Sequence, residues 1–394
     1  MYFCFEYFNN SQKSFLVLKI AVNTRLLLHN KLEGIGYFTL KILEKVVKNH
    51  PEVEFVFYFD RKYDKSFVFA ENVTPVVIPC PTRHPILWYV YFEWLLPYYM
   101  KRDKVDMLFS PDGYMPRKPK VPTLNTFHDI NYEYNPQYIS NFFHRHYYLN
   151  FFPKFAKNST HLITVSNYSK RDLMEFYDVT ENKIDVVYNA ANELYYLVSE
   201  EEREITKQRL TNGKDFFYFV GAIHKRKNLI NLFKAFDLFK LKTGSETKLV
   251  IIGSRRSWKG EIEDAYNQMI FRKYVIFTGR LEASEINLIA NSALALTFVS
   301  QFEGFGIPIV EAFAAGCPVI TSNTTSMPEV GGDAALYCDP YLPQSIADAM
   351  EKIWLSPDLR EELIEKGFEQ NKKFSWEKSA EKLWNSIEKT INRG

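Results

Sequence analysis

Ser292-Ala-Leu-Ala-Leu-Thr-Phe-Val-Ser300-Gln-Phe-Glu303-Gly-Phe-Gly306-Ile-Pro308-Ile-Val-Glu311-Ala-Phe-Ala-Ala-Gly316-Cys-Pro318-Val-Ile-Thr-Ser322 runs a strand, a turn, a helix and the start of a second strand together without a spacer. Residues 292–300 form a nearly unbroken apolar run of strand length, the pattern of a parallel strand covered on both faces. Gly304 and Gly306 permit positive φ and close backbone approach, and Pro308 suits a first helical turn, where its missing N–H is no loss. Gly316 and Pro318 end that helix, and Val319-Ile320-Thr321 begins the next strand. The unit is therefore a β-turn-α-β crossover whose helix N-terminus faces the carboxyl edge of the sheet, where a diphosphate is stabilised by free N–H groups and the helix dipole. Glu303 precedes this helix and Glu311 lies one turn into it. Paired carboxylates accept the paired donors of vicinal diols; the plainer reading is acidic decoration of a helix N-terminus.

The same rhythm extends outward. Strands are expected at 16–23, 53–59, 74–78, 107–110, 123–127 and 161–165, and then again at 215–221, 248–252, 275–278, 294–299 and 319–321, with helical stretches between them. Alternation of this kind is an α/β chain with doubly wound parallel sheets. At 394 residues the chain is long for one core. Two Rossmann-like halves facing across a cleft are expected, meeting near residues 190–214. The final stretch from Ser375 places Trp376, Leu383 and Ile387 at helical spacing.

Composition narrows the classes. Hydrophobic content of 46% with 24% charged residues is that of a soluble globular protein. A net charge of +2 argues against binding driven by nucleic-acid counterion release. Cys4, Cys80, Cys317 and Cys338 show no metal-ligand spacing, which fits a reducing, cytoplasmic setting. The start Met1-Tyr-Phe-Cys-Phe lacks a basic n-region, and the apolar run 86–100 is interrupted by Glu93 and Pro97; neither a signal peptide nor a spanning helix is expected. A P-loop motif, an Asp-x-Asp pair and a full Gly-x-Gly-x-x-Gly are all missing from the sequence, which disfavours a P-loop NTPase, a metal-anchored transferase and a nicotinamide dehydrogenase.

Four further segments carry candidate chemistry. Gly34-Ile-Gly36 is a second glycine turn after strand one. Lys225-Arg226-Lys227 follows the strand 215–221, where cations neutralise a departing diphosphate in place of a metal ion; a solvated basic turn is the alternative. His128-Asp129 ends the strand 123–127, which directs His128 at the cleft; a satisfied structural histidine is the plainer reading. In Ser166-Asn-Tyr-Ser169, one serine caps a helix. The aromatic and basic segment 83–102 is read first as a buried helix face, with lipid docking or stacking on an acceptor sugar as the alternatives.

The segment Glu303–Glu311, with its continuation Thr321-Ser-Asn-Thr-Thr-Ser-Met-Pro-Glu-Val-Gly-Gly-Asp-Ala-Ala-Leu-Tyr-Cys-Asp-Pro340, resembles the Glu-x7-Glu signature of the family 4 retaining glycosyltransferases, in their mannosyltransferase-like subgroup, and the likeness spans nearly the whole chain. The resemblance implies a GT-B fold: an acceptor domain at 1–195, a nucleotide-sugar donor domain at 196–375, and a last helix at 376–394 crossing back to the first domain. It implies transfer of a sugar with retention, without a metal or other cofactor, from a UDP-, GDP- or ADP-sugar to a glycan or lipid-linked hydroxyl. By the same resemblance Glu311 holds the nucleotide ribose, and Glu303 the donor sugar or its phosphate. The amides of Phe305, Gly306 and Ile307 take sugar hydroxyls, together with Gly304. The Gly34–Gly36 loop approaches the diphosphate, and His128, oriented by Asp129, touches the donor sugar near the reacting carbon. The family pattern often has an arginine directly after the glycine of strand 215–221, where this chain has Ala222; Arg226 and Lys227 are therefore the expected cationic pair. Nucleotide-sugar epimerases and sugar phosphorylases share the fold and are the alternative enzymes; a non-catalytic scaffold is the third reading. A peripheral contact with the cytoplasmic face of a membrane accompanies the lipid-linked acceptor as an expectation.

Overall fold

The computed structural model describes residues 17–29, 32, 34–139, 141–254 and 260–394. The expected strand from Leu16, the appended start 1–15, Cys4 and Glu33 fall wholly or partly outside them. Among the described residues, two parallel sheets carry the molecule. The first contains β1 (Lys19–Asn23), β2 (Glu54–Phe59), β3 (Val73–Val77), β4 (Met107–Ser110), β5 (Thr123–Phe127), β6 (His161–Thr164) and β7 (Ile184–Val186), in the order β3-β2-β1-β4-β5-β6-β7. The second contains β8 (Phe216–Val220), β9 (Lys248–Ile252), β10 (Val275–Gly279), β11 (Ala295–Phe298), β12 (Val319–Ser322) and β13 (Ala335–Cys338), ordered β10-β9-β8-β11-β12-β13. The central strands are buried along their length because helices cover both faces, as their apolar sequences require.

Two short edge strands go beyond the sequence reading. β7 has three residues, one of them Asp185, and β13 has four of which only the ends are buried, so neither presents the buried apolar run of a central strand. Gly34 and Gly36 also differ from expectation: they sit inside the first turn of the helix Gly34–Asn49, and neither has positive φ. A Cβ on Gly36 would come within 2.8 Å of the Leu26 carbonyl oxygen, so the glycine serves close packing of the helix on the loop after β1.

The segment 83–102 divides by face. Trp88, Tyr91, Phe92 and Leu96 join the core, while Ile86, Leu87, Trp94 and Tyr98 are exposed. The helix Trp376–Arg393 lies against the first sheet: Ser379 donates to the Tyr188 carbonyl at 2.7 Å, and Ser386 and Lys389 donate to Asp185 at 2.8 and 2.9 Å. Cys80, Cys317 and Cys338 are buried free thiols.

Each sheet reverses its winding once, between β1 and β4 in the first and between β8 and β11 in the second. Such switch points leave a crevice outside the carboxyl strand ends. The two crevices face each other.

Candidate active site

The loops leaving β5, β8 and β11 bring His128 and Asp129, Arg226 and Lys227, and Glu303 and Gly304 to one place. Lys227 Nζ donates to Glu303 Oε1 at 2.6 Å, and Arg226 Nη2 lies 3.9 Å from Glu303 Oε2. Arg226 Nη1 donates to Asp129 Oδ2 at 3.1 Å, joining the second sheet's loop to the first's. Lys227 also stands 4.8 Å from the centre of the Phe298 ring. Burial alone would raise the Glu303 carboxyl, yet Lys227 and Arg226 hold it below the usual carboxylate range. The cations expected to be free for a diphosphate are therefore partnered, and an entering phosphate must compete with Glu303 and Asp129.

His128 is fixed by its surroundings. Its Nε2 is 2.8 Å from the Pro111 carbonyl oxygen, and Phe38 meets the ring edge-on at 5.0 Å. A carbonyl only accepts, so Nε2 carries the proton. Burial lowers the imidazole pKa, which favours the neutral ring with Nδ1 unprotonated.

The glycine loop closes directly on this histidine. An ideal Cβ on Gly304 would lie 2.0 Å from the His128 carbonyl oxygen. Gly304 thus serves a close approach, whereas Gly306, at φ 101°, supplies the left-handed residue before the helix Ile307–Ala314. Ser326 donates to the carbonyls of Glu303 and Phe305 at 2.9 and 3.1 Å, pinning the loop from below. Phe305 is itself buried, packed between Tyr188 and Phe374. The backbone N–H groups of Gly304, Phe305 and Gly306 find no acceptor among the described residues.

Glu311 stands apart from this cluster. Half-buried, it accepts from Tyr195 and faces Tyr37 on the helix Gly34–Asn49. Burial pushes its carboxyl up to about 8, although the Tyr195 hydrogen bond opposes the shift. It does not line the cleft of about 610 Å³ that contains His128, Asp129, Arg226 and Lys227.

Sequence reasoning missed two groups. Arg25, after β1, is 7% exposed and its Nε donates to Asp112 Oδ2 at 2.5 Å; Asp112 follows β4. Both line the same cleft. The rule that placed His128, a polar residue just past a strand's carboxyl end, would have found them if applied to those two strands. Glu329 is the second omission. Its carboxylate accepts from the backbone N–H groups of Asn167 and Tyr168 at 2.8 and 3.1 Å and from Tyr188 Oη at 2.9 Å, so a residue on the second sheet's side caps a helix on the first's. Ser166 caps that helix by its side chain, accepting from Ser169 N–H at 3.0 Å.

Two family models match this chain: "Glycosyltransferase Family 4" over residues 33–193 and "Glycosyl transferases group 1" over residues 200–370. The chain belongs to glycosyltransferase family 4. It is 25% identical to O-antigen chain mannosyltransferase B of Escherichia coli over 88% of this chain and 93% of that one. With O-antigen chain mannosyltransferase RfbU of Salmonella typhimurium it shares 28% identity over 76% and 80% of the two chains. The fold matches sucrose-phosphate synthase of Thermosynechococcus elongatus with a TM-score of 0.77 at 15% identity, covering 94% and 98%. It matches Anabaena HepE in complex with UDP-glucose with a TM-score of 0.72 at 14% identity, covering 94% and 99%. This family 4 member therefore has the GT-B architecture, two facing Rossmann-like sheets. Among its described residues no helix is long and apolar enough to cross a membrane.

Proposed function

We propose that this glycosyltransferase moves a sugar, with retention and without a metal ion, from a nucleoside-diphosphate sugar to a hydroxyl of a growing glycan or lipid-linked acceptor, in the synthesis of a cell-surface polysaccharide. The observation that carries the reading is the ionic cluster Arg226–Lys227–Glu303–Asp129 beside His128 at the facing strand ends. A diphosphate entering there takes up the donor hydrogens of Lys227 and Arg226, and the unpartnered amides at 304–306 add neutral donors. In the transfer step the bond between the anomeric carbon and the diphosphate oxygen breaks, the acceptor oxygen bonds to that carbon on the same face, and its proton passes to the departing diphosphate. Glu303, displaced from Lys227, becomes free to accept from donor-sugar hydroxyls. Glu311, one turn into the helix that follows the glycine loop, is the candidate for the ribose diol. The relatives' O-antigen roles and the UDP-glucose held by HepE support this reading of donor and product class.

We read residues 1–195 as the acceptor domain and 196–375 as the donor domain, with the last helix tied back to the first. A cytoplasmic location with peripheral membrane contact belongs to the same proposal. Its support is the exposed Ile86, Leu87, Trp94 and Tyr98 beside Arg83, Lys101 and Arg102, an apolar stripe with basic flanks.

Thermal shift with UDP, GDP and ADP, then assay of the corresponding sugar nucleotides, tests the reading. One nucleotide stabilises the protein, and its sugar is transferred only when an acceptor is present. Conversion of the donor without acceptor would indicate an epimerase, and dependence on inorganic phosphate a phosphorylase. Binding of none of the three nucleotides would overturn the donor site.

A further inference from the structure

The cleft has a second end, built by the loops and helices around the first sheet, that the donor chemistry leaves unused. Arg25 lies there with its guanidinium 4.0 Å from the centre of the Tyr114 ring. Nε donates to Asp112 at 2.5 Å and Nη1 to Thr82 Oγ1 at 3.2 Å, while Nη2 has no partner among the described residues. Asp112 is held in turn: Asn23 Nδ2 donates to it at 2.8 Å and Tyr114 N–H at 3.2 Å. Trp88 spends its indole N–H on the Thr82 carbonyl at 2.9 Å, so only its ring is left to offer the cleft. Tyr148, bonded to Tyr114 through their hydroxyls at 2.8 Å, adds another ring to the wall. The side chains are thus fixed before any ligand arrives, and the loop 110–114 that holds Arg25 also holds His128 through the Pro111 carbonyl.

Charge decides what fits. Along the whole cleft Arg25, Arg226 and Lys227 are matched by Asp112, Asp129 and Glu303. Both histidines that line it, His128 and His224, are pushed by burial toward the neutral ring. The donor diphosphate claims the second sheet's cations. At the Arg25 end the one cation is already balanced, so an acceptor carrying its own phosphate or carboxylate would be buried without a counter-charge. A neutral sugar ring suits the same space: its C–H face stacks on the aromatic wall, and one hydroxyl accepts from the free Nη2.

We propose that Arg25, poised on Asp112 and Tyr114, is the acceptor-binding residue of a subsite that takes an uncharged hexose and rejects acidic or phosphorylated sugars next to the acceptor hydroxyl. The inference rests on the transferase reading above. The test uses the full chain with whichever sugar nucleotide it binds, and compares octyl hexosides, octyl glucuronide and octyl hexoside 6-phosphate as acceptors. The neutral hexoside is expected to exceed both anionic acceptors in kcat/KM by tenfold or more. Arg25→Lys keeps the charge and loses the forked geometry; it is expected to raise the hexoside KM about tenfold while the nucleotide's thermal shift stays as in the wild type. Equal or preferred use of the anionic acceptors overturns the proposal, and that comparison needs no variant. So does an unchanged hexoside KM in Arg25→Lys. A protein that binds and slowly hydrolyses the donor yet transfers to no neutral hexoside refutes this inference alone, whereas one that binds no nucleotide refutes the transferase reading with it.

Discussion

Gly304→Ala is the most searching perturbation of this site, because it adds one methyl group at the seam between the two sheets. The new Cβ would meet the His128 carbonyl oxygen at 2.0 Å, its carbonyl carbon at 2.9 Å and Asp129 Cβ at 3.0 Å. Ordinary contact begins at 3.4 Å, so the loops must part by about 1.4 Å along that line. The Arg226–Asp129 hydrogen bond, now 3.1 Å, crosses the same seam and would break. His128 would then be displaced from Lys227 and Arg226 by more than the ~1 Å that costs about a hundredfold in a positioned reaction. Steady-state transfer should therefore show kcat reduced about a hundredfold. Nucleotide binding by thermal shift should persist, because the cations and the amides 304–306 stay on the second sheet's loops. Circular dichroism should report an intact fold, since neither sheet is touched. Wild-type kcat within about threefold would refute the argument that close approach of Gly304 to His128 assembles the site.

Other outcomes follow from the same geometry. Lys227→Met leaves the Glu303 carboxylate, only 6% exposed, with Arg226 at 3.9 Å as its remaining cation, and should cost about 3 kcal/mol in urea unfolding; adding Glu303→Gln should recover most of that stability without recovering transfer. Glu311→Gln removes a carboxyl whose pKa rises from the ordinary 4.5 to about 8 in the folded protein. The native state holds that proton more tightly than the unfolded chain, so wild-type stability falls as pH rises through this window. The variant's melting temperature should thus gain on the wild type progressively from pH 5 to pH 8, and a constant difference would contradict the shift. Glu329→Ala removes four bonds that tie the sheets together, each worth about 1.5–3 kcal/mol where a charge takes part. Small-angle scattering without nucleotide should detect a more open particle and kcat/KM should fall, while identical scattering would rule out a latch.

The fold was legible because its signals are local. Apolar runs of strand length, separated by helical stretches, announce a parallel sheet whatever they later pack against, and only the partly exposed edge strands β7 and β13 lacked such a run. Glu303, His128, Arg226 and Lys227 were legible for a related reason: each stands just past a strand's carboxyl end, and winding brings such positions to one edge. Gly34 and Gly36 misled, since a Gly-x-Gly pair reads the same whether it opens a turn or lies within a helix pressed against another loop.

What the sequence by itself determined, then, is the alternation of elements, the two sheets and the set of polar residues delivered to their facing edges. The tertiary structure alone decided who partners whom. Lys227 and Glu303 are 76 residues apart, and Arg25 and Asp112 are 87 apart; such pairings depend on how strands are ordered and how two sheets are set against each other, which local periodicity does not encode. The same holds for the space beside Gly304. The chain specifies that no side chain stands there, and only the packed molecule reveals that the His128 carbonyl fills the gap.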